Sequence, residues 1–130
     1  VTIPTFIRSY ICAADILPRV IVKFAAPSAG STMTTAAAAT DALFGISDAM
    51  GGASGGPVDV ILAGLAEVVL GGTVTAGAPL TSDADGKAVA LVGAADATRR
   101  CIGYAEQPGV AGDIIRCTVE RGVLQLPAAV

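Results

Sequence analysis

The chain predicts a mainly β domain: a small β-barrel or β-tulip-like sandwich with glycine-rich turns and an extended N-terminal arm. Three observations carry this. Short apolar segments alternate with period two, glycines separate them, and no stretch shows the 3.6-residue stripe of a long amphipathic helix. At 130 residues the chain suits one domain, able to bury about 65% of its unfolded surface.

Taken in order, residues 1–18 form an arm and residues 19–130 a β-rich body. The arm, VTIPTFIRSYICAADILP, is bracketed by Pro4 and Pro18. Its apolar residues Ile3, Phe6, Ile7, Tyr10 and Ile11 fit a helical stripe, while Pro4 and the β-branched content favour an extended strand; both readings stay open. So apolar a terminus is expected to be tied to something, which makes these five residues candidate interface anchors. From Arg19 the period becomes two, with Val20, Val22 and Phe24 on one face and Arg19 and Lys23 on the other. Residues 25–42 are rich in Ala, Ser and Thr and read as a loop with at most one helical turn near Thr35–Thr40. Strands are then expected at Leu43–Ser47, Val58–Leu62, Leu65–Leu70, Lys87–Val92, Cys101–Ala105, Asp113–Val119 and Val123–Leu126. The clearest is Asp113–Val119, with Ile115, Cys117 and Val119 on one side and Arg116 and Thr118 on the other. Glycines at positions such as 51, 55, 71, 77 and 112 punctuate these segments, where a positive φ is cheap for glycine.

Composition limits what the domain does. Hydrophobic residues make up 53% of the chain but aromatics only 4%, and 26 residues are alanine. Small side chains bury little area each, so burial shared with neighbouring subunits or a host surface is expected. The net charge is −3, without the clustered Lys and Arg that phosphate binding requires, so no nucleic-acid partner is expected. The charge is uneven. Arg8, Arg19 and Lys23 against Asp15 give the first 24 residues +2, whereas residues 25–98 set seven acids against Lys87. The longest charge-free run, Phe24–Thr40, is broken by Pro27, Gly30 and several Ser and Thr, so no membrane span is read; nor does the N-terminus have a secretory layout.

No catalytic constellation is legible. With no histidine, Ser-His-Asp and Cys-His arrangements are excluded, as are common zinc sites. Cys12, Cys101 and Cys117 lack CxxC spacing and read as buried thiols; Cys101 and Cys117 could bond only if their strands place them side by side. Asp83 and Asp85 in TSDADGKA lack the further oxygen ligands of a calcium loop and read as a hairpin turn. Lys87 invites comparison with lipoyl and biotinyl carrier lysines, but it follows the turn glycine instead of sitting at the apex. GGASGGP lacks the Lys-Ser/Thr of a P-loop. No metal, cofactor or enzymatic activity is expected.

A faint internal repeat runs through the body. Phe44–Leu62 resembles Ile102–Val119 in order: an apolar residue, a glycine, an acid, a glycine-rich turn and an alternating strand. Gly45 and Gly103 lie 58 apart, as do Gly64 and Gly122. Two related β units closing on each other would account for it.

The succession ATDALFGIS, VDVILAGLAEVVLGGTVTAGAPLTSDADGKAVAL and IGYAEQPGVAGDIIRCTV resembles the bacteriophage capsid cement, or head decoration, proteins. The matching positions are Gly64, Ala66, Val68, Ala76, Gly77, Leu80, Thr81, Asp83, Gly86, Lys87, Ala88, Ile102, Gly103, Ala105, Ala111, Gly112 and Asp113, within about residues 20–120. The resemblance implies a non-enzymatic virion protein, made in the host cytoplasm and added to the outside of an icosahedral shell. It implies a homotrimer whose partner is the major capsid protein, with neighbouring capsid subunits clamped together. The alternatives are a carrier barrel modified on Lys87 and another virion module, of fibre or baseplate. The resemblance does not extend to residues 1–18, so their role as anchors rests on their own chemistry.

Overall fold

The computed structural model describes residues 3–25, 32–91 and 98–125. Among them are nine strands and no helix: β1 (Ile3–Cys12), β2 (Ile21–Phe24), β3 (Thr32–Thr35), β4 (Gly45–Ser47), β5 (Pro57–Val69), β6 (Pro79–Ser82), β7 (Ala88–Ala90), β8 (Thr98–Ala105) and β9 (Ile114–Gln125). The mainly β class is as expected. Val92 and Leu126, at the ends of two expected strands, lie outside the described residues. The strands form one sheet in the order β1-β3-β2-β4-β5-β9-β8-β6-β7, and β1 also pairs with β5. That extra pairing closes β1, β3, β2, β4 and β5 into a ring. A second ring of β5, β9, β8, β6 and β7 is completed by a single parallel bridge from Leu70 to Ala88.

The two rings are copies of one plan that share β5. In the first, Ile21 faces Ile46 and Val22 faces Gly45; in the second, Pro79 faces Tyr104 and Leu80 faces Gly103, each residue 58 further on. Phe24 opposite Met33 corresponds to Ser82 opposite Ala88, and Tyr10 opposite Val58 to Val68 opposite Ile115. Isolated antiparallel bridges repeat too, Ile16 to Gly52 and Val74 to Gly109. Even the turns agree. Arg19, at φ 60°, gives its N–H to Ser47 O as Gly77, at φ 84°, gives its N–H to Ala105 O. The repeat expected between two hairpins therefore extends over both rings.

Sharing β5 explains its length. Its even-numbered side chains Val58, Val60 and Leu62 enter the first ring, and Ala66 and Val68 enter the second. Gly64 stands at the changeover with φ 98°, a conformation that glycine adopts with little strain. Where the sequence predicts two strands, Val58–Leu62 and Leu65–Leu70, one strand thus runs through the glycine. Likewise Asp113–Val119 and Val123–Leu126 merge into β9.

The buried side chains follow the same plan. Tyr10, Cys12, Val22, Met33, Val58, Val60 and Leu62 fill the first ring. Their counterparts Val68, Leu70, Leu80, Ala88, Ile115, Cys117 and Val119 fill the second. Ile21, Ile46 and Ile61, on the outer wall of the first ring, complete the second ring's core. A chain rich in small residues thus gains burial by using one wall twice. The large side chains gather in the first ring, where Tyr10, Phe24 and Phe44 meet with centroids 4.5 to 6.2 Å apart, in the range of favourable aromatic pairs.

Two strands have no counterpart in the sequence expectation. β3 lies in the region read as a loop, and β6 leads into the Asp83–Lys87 turn. β3 has Met33 as its only large apolar residue and β6 has only Leu80, so neither shows an alternating pattern.

The loop after β3 is held by Asp41. Its Oδ2 accepts hydrogen bonds from Lys23 Nζ (2.9 Å), Ala37 N (2.9 Å) and Ala38 N (3.0 Å). Burial alone would raise this carboxyl, but the Ala37 amide, the Lys23 ammonium and the Ala38 amide outweigh it and hold Asp41 below the ordinary aspartate value. Because the folded value lies below the unfolded one, the stabilisation is complete above about pH 4 to 5 and is lost as acid takes the pH through the folded value. Asp41→Asn is expected to cost about 1–2 kcal/mol at neutral pH. In urea unfolding, the gap to wild type should narrow steadily below about pH 4; a gap of constant size would refute the assignment.

Candidate docking surface

The sequence divides the chain at residue 18, but β1 is a wall of the first ring. It pairs antiparallel with β5 from Ile3 opposite Leu65 to Ile11 opposite Pro57, with irregularities on either side of Phe6. Of the two readings of this segment, the extended one holds. Pro4 and the Phe6 irregularity end regular pairing toward the N-terminus, as expected where proline sits on an edge strand.

The anchors expected from the sequence separate in space. Tyr10 is buried against Phe24 and Phe44, and the Arg8 guanidinium lies 5.3 Å from its ring centroid. Phe6, Ile7 and Ile11 are instead exposed, at 54%, 38% and 46%. Ile3 occupies the β1 position opposite Leu65. Three of the five residues therefore present apolar surface along β1, whereas Tyr10 closes the core beneath it.

The backbone of β1 is also uneven. Cys12 N–H donates to Gly56 O on the β5 side, and Ala13 N–H donates to Met33 O on the β3 side. Alternation along a strand then turns the polar groups of Ile11, Ser9 and Ile7 away from β5. β3 pairs with β1 at Ile11 and Cys12. Among the described residues, Ile7 and Ser9 have no strand on their outer side. Inward contacts hold this stretch in place: Ser9 Oγ donates to Asp59 Oδ1 at 2.5 Å.

Two exposed residues near this surface were not among the expected anchors. Leu17 and Met50, at 66% and 93%, flank the turn where Gly51 and Gly52 pack on the Ile16–Pro18 backbone. Leu17 lies inside the arm and shares its apolar character, whereas Met50 carries no pattern that the sequence could reveal. A shallow cleft of about 370 Å³ beside this turn is lined by Asp48, Met50, Gly51, Gly52, Pro57 and Asp59. Its two carboxylates are already engaged, Asp48 with the Ala49 N–H and Asp59 with Ser9. The cleft offers no nucleophile–base pair.

The other sequence candidates resolve into structure. Asp83 Oδ1 accepts the N–H groups of Asp85 and Lys87, which makes the expected hairpin turn between β6 and β7. Lys87 leaves that turn half-buried, with its carbonyl accepting Asp83 N–H. Cys101 lies opposite Gly122 and Cys117 opposite Ala105, so the pairing that a bond between them needs does not occur, and all three thiols are free and buried. Burial pushes the Cys117 thiol up to about 12, which leaves it inert at neutral pH.

No family model matches the chain, and no curated protein does. Among solved structures it is similar to the head fiber gp8.5 N base in bacteriophage phi29, with a TM-score of 0.66 and 18% identity. The match spans 92% of this chain and 98% of that one, so the two share a fold from end to end.

Proposed function

We propose that this chain is a structural protein of a bacteriophage virion, mounted on the outer surface of the head, where it clamps neighbouring capsid subunits. The observation that carries this reading is the end-to-end likeness to the base of a head fibre. The sequence resemblance to cement proteins points to the same place. A pair of rings with an apolar strip on one wall suits a docked structural part, and a chain without histidine suits a role in binding rather than catalysis. Association as a trimer, with the major capsid protein as partner, completes the proposal.

The test is direct. Purified protein should bind saturably to heads that lack it and should raise the temperature at which those heads rupture. Absence of binding to both immature and expanded heads would end the proposal.

A second reading, the base of a projecting fibre, is favoured by what the phi29 protein is. Electron microscopy of particles separates the two. A cement gives compact density repeated over the shell, whereas a fibre base carries a projection outward from each site.

A carrier role has less support, because Lys87 lies at the exit of its turn with both backbone groups bonded to Asp83. Expression in a lipoylating host should leave its mass unchanged.

A further inference from the structure

The duplication supplies an internal control on one end of the first ring. Arg8, Tyr10, Phe24 and Phe44 correspond, 58 residues on, to Ala66, Val68, Ser82 and Ile102. The second ring therefore closes on the same backbone plan with no aromatic side chain and no cation at these places. There Ala66, Val68 and Ile102 are buried in one cluster with Ile21, Ile46 and Ile61 of the first ring's outer wall. The first ring places different chemistry at the equivalent end. Along the inner side of β1, Cys12, Tyr10 and Arg8 lie successively farther from the Ile16–Gly52 bridge, as alternation requires. Arg8 is exposed, with its guanidinium over the Tyr10 ring. Arg121 reaches the same aromatic cluster from β9. It too is exposed, its guanidinium lies 4.7 Å from the Phe44 ring centroid, and its Nη1 donates to Phe44 O at 3.0 Å. Arg19 and Lys23 have carboxylate partners in Glu67 and Asp41, but among the described residues neither Arg8 nor Arg121 has one.

We propose that this end of the first ring docks an acidic, extended peptide segment of another protein, with one of its carboxylates on Arg8 and a second on Arg121. The site follows from the fold and its charges, whatever assembly the chain joins. The aromatic rings hold the two guanidiniums in place by cation–π contact, so less freedom is lost when a carboxylate takes their remaining N–H groups. Half-buried Phe24 and Phe44 add apolar surface for the stems of acidic side chains. Each guanidinium is held over its own ring, which suits two separate carboxylates better than one small anion. A polyphosphate backbone would meet the chain's net charge of −3 along its length, whereas a short segment meets the local pair of cations. A second copy pairing through this same end would bring two cationic surfaces together, which like-charge repulsion opposes.

The experiment uses full-length protein, with hexaglutamate as the probe and hexalysine as its control. On titration with hexaglutamate, the Nε–H resonances of Arg8 and Arg121 should shift saturably, and added salt should weaken the effect. These shifts are read on the wild type, so the test stands even where a variant unfolds. Arg8→Gln and Arg121→Gln should each lower affinity about 3- to 10-fold, a typical loss for one charge-assisted bond near the surface. Arg8→Lys keeps the charge but not the planar fork and should recover only part of the loss. Arg116→Gln removes an exposed cation already bonded to Gln107 and should bind as wild type does. Arginine resonances that stay in place, or that respond to hexalysine alike, would overturn the proposal. So would equal losses in Arg8→Gln and Arg116→Gln, which would mean attraction to charge in general. Inorganic phosphate that shifts both resonances as readily as hexaglutamate would make this a small-anion site and overturn the peptide. Dimers formed without any peptide and dissolved by Arg8→Gln would place a second copy there and overturn the assignment to another protein.

Discussion

Gly103→Ala is expected to yield no folded protein, a loss of more than about 4 kcal/mol. A β-carbon at Gly103 would fall well inside the Thr118 carbonyl oxygen and close to its carbon. Thr118 belongs to β9, whose backbone is fixed by pairing with both β5 and β8, so the obstacle is one that cannot turn aside. The counterpart Gly45→Ala meets a milder version, 2.7 Å from Ile61 O with the Val60 side chain also in the way. It should lose less, because the added carbon lies farther from the backbone oxygen than at Gly103. Gly122→Ala is the control: nothing lies within 4 Å of the added carbon, and stability should stay within about 0.5 kcal/mol of wild type. Circular dichroism and urea unfolding of the three variants would rank them. A folded Gly103→Ala protein would mean that β8 and β9 are not packed as described.

Tyr10→Ala should cost about 3–5 kcal/mol. Its ring meets Phe24 and Phe44 edge-on and fills the first ring beside Met33, Val58 and Val60. Phe24 and Phe44 already pack on each other in the same cluster, so the vacated space is refilled only in part. Tyr10→Phe keeps the ring and should lose less than about 1.5 kcal/mol. Thermal or urea unfolding checks both. If Tyr10→Ala proved nearly neutral, Tyr10 would instead be an exposed anchor. The same geometry bears on how docking is tested. Removing residues 1–18 would take Tyr10, Cys12 and Ile16 out of the core, so point changes on the exposed face are the cleaner probe.

The sequence announced several elements through side-chain pattern. Ile115, Cys117 and Val119 alternate with Arg116 and Thr118, and β9 buries the first set. Asp83, Gly86 and Lys87 carry their own turn chemistry, and the hairpin forms there. Gly45 and Gly103 hinted at a duplication because each must pass close to a backbone, and that need leaves a mark on composition. β3 and β6 left no such mark. Thr34, Thr35, Thr81 and Ser82 take strand conformation because neighbouring strands supply their pairing, and pairing across the chain is invisible to local pattern.

What the residues determined by themselves was the β class, the glycine breaks, the lack of any imidazole and an apolar N-terminal segment. Tertiary structure decided that this segment walls a ring, that one strand serves two rings, and that Tyr10 turns inward while Phe6, Ile7 and Ile11 face out. The physical reason is that an apolar side chain records only its aversion to water. Whether its own fold or a partner provides the shelter depends on which strands come to lie beside it.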